Sequence, residues 1–193
     1  MAQQLGGRLP LRSPQKLQGQ AREVYDRLTK RGGDNPPFRS RTDAGELIGP
    51  YNACIWSPAI GAAFLSAHEA EERATPLPAR VREVIILSVG AVWGCAYELY
   101  AHRALAARAG LSQDAIDALA SGQTLDGLSE DERTAQRFVL ELTRDRRAQD
   151  ATYAALEVAF GREGALAAIF LAGLYSMTAT LLNALEVPVP DAV

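Results

Sequence analysis

Apolar residues recur along most of this chain at intervals of three and four positions, which is the spacing of one face of an α-helix. The alternating apolar and polar runs that a half-buried strand needs are missing, and the β-branched residues fall inside the helical periodicity. The pattern therefore predicts an all-α protein, a compact bundle of about seven to eight helices. The predicted helices cover residues 17–31, 58–73, 78–93, 95–109, 113–120, 130–146, 150–160 and 162–186.

Local signals predict where several of these helices begin and end. Ser57 followed by Pro58 is a typical helix start, with serine as the N-cap and proline at the first helical position. Ser129 with Glu132 three residues later predicts a capping box. Gly161 is expected to break the last helical region into two helices.

Two segments outside the predicted helices are polar and contain glycine or proline. Residues 1–16 are predicted to form an extended arm, and residues 17–190 a single helical domain. Residues 34–50 form a long polar connection, of a kind that often has a function or lies along another subunit.

Charge and composition narrow the class of partner. The chain has 193 residues and a formal net charge of −3 at pH 7, so it lacks the basic footprint of a nucleic-acid-binding protein and is expected to act on a small molecule. With two cysteines and no secretory signal, we expect no disulfide scaffold and a cytoplasmic location. Residues 165–182 carry no formal charge, but their content of Ala, Gly, Ser and Thr favours a buried core helix over a membrane span.

The strongest candidate for chemistry is a cluster of four residues on the third and fourth predicted helices. Glu98 and His102 are four positions apart and share a helix face, and Cys95 lies about two turns before His102. Glu83 can approach the same place if the chain bends at residues 93–94. A carboxylate beside an imidazole orients it and favours its protonated form, so His102 could transfer a proton near neutral pH.

Three aromatic residues flank this cluster and are candidates for substrate binding: Tyr97, Tyr100 and Trp93. The helix N-terminus favours a thiolate at Cys95 and the nearby Glu98 opposes it, so the direction of the shift in the pKa of Cys95 stays open. Plainer interpretations also stay open, namely a Glu–His pair on a solvated helix face and a cysteine that is a small buried hydrophobe. His68 is interpreted as part of a polar helix face. The spacing of the two histidines predicts no metal site.

Residues 78–111 resemble the signature segment of the carboxymuconolactone decarboxylase family, which includes the alkylhydroperoxidase D-like proteins. The resemblance rests on Pro-x-x-x-x-Glu at 78–83, Tyr-Glu-x-x-x-His at 97–102 and Ala-Gly-Leu-Ser at 109–112. It implies a compact all-helical protomer that assembles into a homo-oligomer, a trimer or hexamer, and that needs no cofactor.

The decarboxylase branch of this family implies one kind of chemistry. Tyr97, Glu98 and His102 match its motif, whereas Ala96 and Leu99 depart from it. Loss of carbon dioxide from a small carboxylated lactone leaves a carbanion or dienolate. The resemblance implies that His102 protonates this intermediate and that Glu98 orients His102. This cofactor-independent acid/base chemistry is the first hypothesis.

The peroxidase branch implies a second hypothesis, a thiol-dependent peroxidase. Glu83, Cys95 and His102 match its motif, but Glu98 replaces the second cysteine. Cys54 would then have to resolve the sulfenic acid formed at Cys95. A third hypothesis is a non-catalytic helical oligomer that keeps the fold.

Overall fold

A computed structural model describes residues 5–32, 37–124 and 127–190. Within these ranges the chain forms helices and no strand, which confirms the all-α prediction. Arg41 and Leu47 form an isolated antiparallel β-bridge that is too short to count as a strand. Residues 1–4 of the predicted arm and 34–36 of the predicted connection lie outside the described ranges. The helices of the described ranges are α1 (Gly19–Gly32), α2 (Pro50–Trp56), α3 (Pro58–Ala74), α4 (Ala79–Trp93), α5 (Ala96–Arg108), α6 (Gln113–Ala120), α7 (Glu130–Arg144) and α8 (Asp150–Ala184), with a short 3₁₀ turn at Pro14–Lys16.

The central helix of the bundle is α4, because it is apolar on nearly all sides. Val84, Ile85, Ile86 and Leu87 are consecutive, and all four side chains are fully buried. This is typical of a helix surrounded by protein. Ile85 and Ile86 pack with α7 and α8, whereas Val84 and Leu87 pack with α5 and α6.

Gly94 ends α4 and turns the chain back into α5. It adopts the left-handed conformation (φ 57°, ψ 34°) that glycine accommodates without strain. The Cys95 N–H then donates to the carbonyl of Gly90 at 2.9 Å, which closes the helix end. As a result α5 runs back along α4, and Glu83 near the start of α4 comes to lie beside His102 in α5.

The helix ends agree with the sequence at some positions and differ at others. Ser129 and Glu132 form the predicted capping box, each side chain accepting a hydrogen bond from the backbone N–H of the other. Ser57 is the N-cap of α3 and Pro58 begins it, as predicted, although the Ser57 side chain forms no capping hydrogen bond. Gly161 breaks the helical geometry inside α8 (φ 68°, ψ 174°), as predicted, so that two helical segments meet there at a kink. The pattern also missed α2, which has only seven residues and so shows no clear periodicity.

The described part of the N-terminal arm lies against α2 and the end of α8. The Arg8 N–H donates to the Leu185 carbonyl at 2.7 Å. The Pro10 carbonyl accepts hydrogen bonds from Asn52 Nδ2 at 3.3 Å and from Trp56 Nε1 at 3.0 Å. These contacts fix the arm to the helical body.

The long helix α8 packs one face into the core and presents the other outward. Ala165, Ala168 and Leu171 are fully buried, whereas Phe170 is 68% exposed. By length and composition alone α8 could cross a membrane, with a mean hydropathy of 1.8 over its most apolar 18-residue window, of which 44% is buried inside the protein. The core helix of a soluble protein meets the same criteria, and the buried face of α8 is of that kind.

Candidate active site

A cavity of about 60 Å³ lies between α2, α3, α5 and α8. Its wall is mostly aromatic and aliphatic, with a few convergent polar groups, which is the usual composition of a small-molecule site. Its ionisable side chains include Glu98, His102 and His68. The predicted pair on α5 therefore does face a cavity and not open solvent.

His102 is held by Glu83 across the α4–α5 interface. The distance from His102 Nδ1 to Glu83 Oε2 is 2.9 Å, and both side chains are buried. The prediction that Glu98 orients His102 is wrong. Glu98 lies beside His102 on the same helix face, but it is Glu83, brought in from the facing helix by the turn at Gly94, that contacts the imidazole. Since Nδ1 donates to Glu83, Nε2 is the atom left to face a substrate.

Glu98 is buried without a hydrogen-bond partner. Its side chain is 2% exposed, and neither carboxylate oxygen has a partner among the described residues. Burial raises the pKa of this carboxyl well above its ordinary value of 4.5. Gly90 on α4 makes room for it, because a Cβ at that position would lie 3.3 Å from Glu98 Oε1. Burial therefore favours the uncharged carboxylic acid form of Glu98, which can donate a hydrogen bond.

Cys95 does not reach this cavity. It is fully buried in an apolar cluster that includes Ile48, Tyr97 and Leu182. Burial raises the pKa of its thiol to about 12, which settles the direction that the sequence left open. Cys54 lies in a different apolar cluster and its pKa is also raised to about 12 by burial. Both cysteines are free thiols.

The two candidate tyrosines hold the segment that precedes α2. The Tyr97 hydroxyl donates to the Arg39 carbonyl at 3.1 Å, and the Tyr100 hydroxyl accepts from the Arg39 N–H at 2.9 Å. Of these two rings, that of Tyr97 lines the cavity. Trp93 lies outside the cavity wall, where Asn183 Nδ2 donates to its carbonyl and the Arg146 guanidinium stacks on its ring.

Sequence reasoning missed most of the cavity wall, including His68, Tyr175 and Thr178. The interpretation of His68 as part of a polar face is wrong, since it is 7% exposed. A signal was present in the sequence, because His68 lies three and four positions after Leu65 and Phe64, on the apolar face of α3. Burial lowers the pKa of His68 to about 4, and the positive charges of Arg31, His102 and Arg82 act in the same direction.

Arg31 supplies a positive charge at the rim of the cavity. Arg31 lines the cavity and also a neighbouring depression. His102 and Tyr175 line both the cavity and this depression. Its guanidinium forms an ion pair with Glu72. The neighbouring depression therefore gives a second approach to His102, beside a cationic group.

Part of the chain is similar in sequence to a known family. Residues 58–141, which contain all four of the predicted cluster residues, match the sequence model of the carboxymuconolactone decarboxylase family. No curated protein sequence is significantly similar to the chain.

Solved structures share the fold over nearly the whole chain. A peroxidase-related protein from Ralstonia eutropha JMP134, described as an alkylhydroperoxidase AhpD core, is 18% identical with a TM-score of 0.78, over 96% of this chain and 93% of that one. One from Silicibacter sp. TM1040 is 16% identical with a TM-score of 0.75, over 96% and 93%. The debrominase Bmp8 with 2,3,4-tribromopyrrole bound is 16% identical with a TM-score of 0.72, over 98% and 94%. Residues 58–141 therefore resemble the carboxymuconolactone decarboxylase family, and the likenesses to solved structures show that the chain shares the fold of alkylhydroperoxidase D-like proteins.

Proposed function

We propose that this chain is a cofactor-independent acid/base enzyme, a carboxy-lyase that acts on a small carboxylated, lactone-type substrate. One observation supports this most strongly: a single cavity holds an uncharged carboxylic acid, Glu98, and an imidazole, His102, that Glu83 orients. The two groups differ in protonation behaviour because their surroundings differ, and this is how active sites assign acid and base roles. The match of residues 58–141 to the carboxymuconolactone decarboxylase family model supports the same class of reaction.

In the proposed reaction the bond between the substrate carboxylate and its carbon breaks, and carbon dioxide leaves. The bonding electron pair moves into the conjugated lactone, whose oxygen becomes negatively charged. Glu98 donates a hydrogen bond to this oxygen inside the apolar cavity, where such a bond is strong. His102, as the imidazolium, transfers its Nε2 proton to carbon and then takes up a proton from water. The sum is one carboxylate and one proton converted to carbon dioxide and a C–H bond.

The surroundings of Glu98 favour this proposal over a non-catalytic role. A polar group buried without a hydrogen bond costs roughly 1–3 kcal/mol of stability. A helix with a purely structural role would avoid that cost with an apolar residue at the same position. The unpartnered carboxyl inside a cavity is therefore best explained by a ligand that supplies the missing partner.

The surroundings of Cys95 favour it over a thiol peroxidase. The attacking species in such an enzyme is a thiolate with access to peroxide. Cys95 is fully buried outside the cavity wall, and its pKa is raised to about 12. Only about one thiol in 10⁵ is then ionised at pH 7.

The experiment is a direct assay for carbon dioxide released from γ-carboxymuconolactone and related small lactone acids. We expect His102→Ala to lower the rate by about 10²–10⁴-fold, the usual contribution of a positioned acid or base. Cys95→Ser is the matched control on the same helix and should keep the rate. In D₂O the product should carry one deuterium at the carbon of the dienolate that takes up the proton, the ring carbon next to the lactone carbonyl.

Two outcomes would contradict the proposal. One is a wild-type protein that releases no carbon dioxide from any of these acids. The other is consumption of hydroperoxide that disappears in Cys95→Ser, which would favour the peroxidase hypothesis.

We also propose that the chain forms a homo-oligomer through the outer faces of α3 and α8. Phe170 on α8 and Ile60 on α3 are 68% and 64% exposed, and Leu166 and Met177 add to the same apolar surface. Two depressions along these helices are lined almost entirely by apolar atoms. Apolar surface of this extent usually contacts another protein.

A further inference from the structure

His68 lies in the wall of the same cavity but outside the proposed acid/base pair. Its ring packs edge-on against Phe64, with ring centroids 4.5 Å apart, and against Tyr175 at 5.3 Å. The Tyr175 ring also packs edge-on against His102 at 4.9 Å. One tyrosine ring therefore contacts both histidines of the chain, and a ligand beside Tyr175 is within reach of both.

Thr178 determines which nitrogen of His68 carries the hydrogen. The Thr178 hydroxyl donates to the Leu174 carbonyl at 2.9 Å, so its oxygen is left to accept a hydrogen bond. His68 Nε2 lies 3.4 Å from that oxygen and is the donor. Nδ1 then has the lone pair. No hydrogen bond joins Nδ1 to a described residue, and the His68 side chain lines the cavity.

Burial keeps this imidazole uncharged at neutral pH, because it lowers the pKa of His68 to about 4. A neutral imidazole with a free Nδ1 is a hydrogen-bond acceptor. Burial favours the acid form of Glu98 in the same cavity, and that form is a hydrogen-bond donor. Glu98 and His68 therefore differ in what they can recognise.

We infer that His68 is a specificity-determining residue, and that its Nδ1 accepts a hydrogen bond from a hydroxyl or N–H group of the substrate. The substrate class is thus a small carboxylated ring compound that also carries a hydrogen-bond donor. The inference rests on the proposed function only in taking this cavity as the substrate site. A site built to accept a donor rejects the analogue that lacks it, because Nδ1 is then left buried without a partner.

The test uses phenol and toluene as probes, because they have nearly the same shape and differ in one hydrogen-bond donor. Their affinities are measured by calorimetry on the full chain for the wild type, His68→Phe and His68→Asn. Phenylalanine keeps an aromatic ring and removes both nitrogens. Asparagine keeps an acceptor oxygen close to the position of Nδ1. Circular dichroism and thermal unfolding check that both variants are folded.

We expect the ratio of phenol to toluene affinity to fall by about three- to tenfold in His68→Phe, the effect of losing one neutral hydrogen bond. In His68→Asn the ratio should change by less than about twofold. In wild-type protein labelled with ¹⁵N, phenol but not toluene should shift the Nδ1 resonance of His68, and only two imidazoles need to be assigned.

An unchanged ratio in His68→Phe overturns the inference, and so does a wild-type protein that does not bind phenol. Failure of the proposed function would look different. The protein would then release no carbon dioxide from lactone acids, yet the dependence of the affinity ratio on residue 68 would persist.

Discussion

Replacing Glu98 by glutamine tests the central feature of the site, a carboxyl that stays protonated at neutral pH. The folded-state pKa of Glu98 is raised above its ordinary value of 4.5 by burial. Above pH 4.5 the unfolded chain therefore releases a proton that the folded chain keeps. Linkage then requires this residue to reduce stability progressively as the pH rises from about 4.5 towards the folded-state pKa. Glu98→Gln cannot ionise, so it removes this pH-dependent cost.

The magnitude follows from one proton. Between the two pKa values the free energy of unfolding of the wild type falls, relative to that of Glu98→Gln, by about 1.4 kcal/mol per pH unit. For a chain of this size, that corresponds to about 3–6 °C in Tm per pH unit. The amide of glutamine adds a constant offset, because it is also buried without partners, so the slope and not the absolute difference is the test.

The assay is urea unfolding of both proteins at half-unit steps from pH 5 to pH 8. Glu132→Gln is the matched control, since Glu132 is also buried. Burial alone would raise the pKa of Glu132, but hydrogen bonds from Arg80 and Ser129 lower it below 4.5. The stability that Glu132 contributes is therefore fully present above pH 4.5 and is lost as the pH falls through its lowered pKa. Its variant should differ from the wild type by a constant amount between pH 5 and pH 8.

Parallel stability curves for the wild type and Glu98→Gln over this range would refute the reasoning. They would mean that Glu98 is ionised in the folded protein near its ordinary pKa. The neutral acid in the proposed mechanism would then be lost.

Three further predictions concern Cys95, Gly49 and Phe170. With a pKa raised to about 12, the Cys95 thiol should react with Ellman's reagent at pH 8 only as fast as the protein unfolds, and a rapid reaction of the native protein would contradict its burial. Gly49→Ala should lose about 2–4 kcal/mol in urea unfolding, because a Cβ there would lie 2.5 Å from the Tyr97 ring at a φ of 68°. Gly19→Ala, with φ 53° and no atom within 4 Å, should cost only about 1–2 kcal/mol, and equal losses would show that the contact is unimportant. Phe170→Asp should lower the mass measured by light scattering to that of a smaller assembly, and an unchanged mass would remove α8 from the proposed interface.

Much of the local structure could be predicted from the chain alone. Helical periodicity predicts α3 to α8 closely, and the capping box at Ser129 and Glu132 forms as expected, because both signals depend only on residues a few positions apart. The same is true of Glu98 and His102, which share a face of α5 by their spacing. The seven-residue helix α2 was missed because it is too short for its periodicity to stand out.

The site itself needed the tertiary structure. Which carboxylate holds His102 depends on how α5 packs on α4, and the answer is Glu83, nineteen positions away. His68 enters the cavity from α3, far from the motif in sequence. The direction of the pKa shift of Cys95 could not be predicted from the sequence, because two local effects oppose each other. It depends on burial, which the tertiary structure decides.

The sequence by itself determined the helices, the capped ends and the shared face of Glu98 and His102, because each follows from interactions within one or two helical turns. Only the tertiary structure decided which of the charged and polar groups lose contact with water. Desolvation depends on every helix that packs around a residue, and that packing raises the pKa of Glu98 and of Cys95 and lowers the pKa of His68.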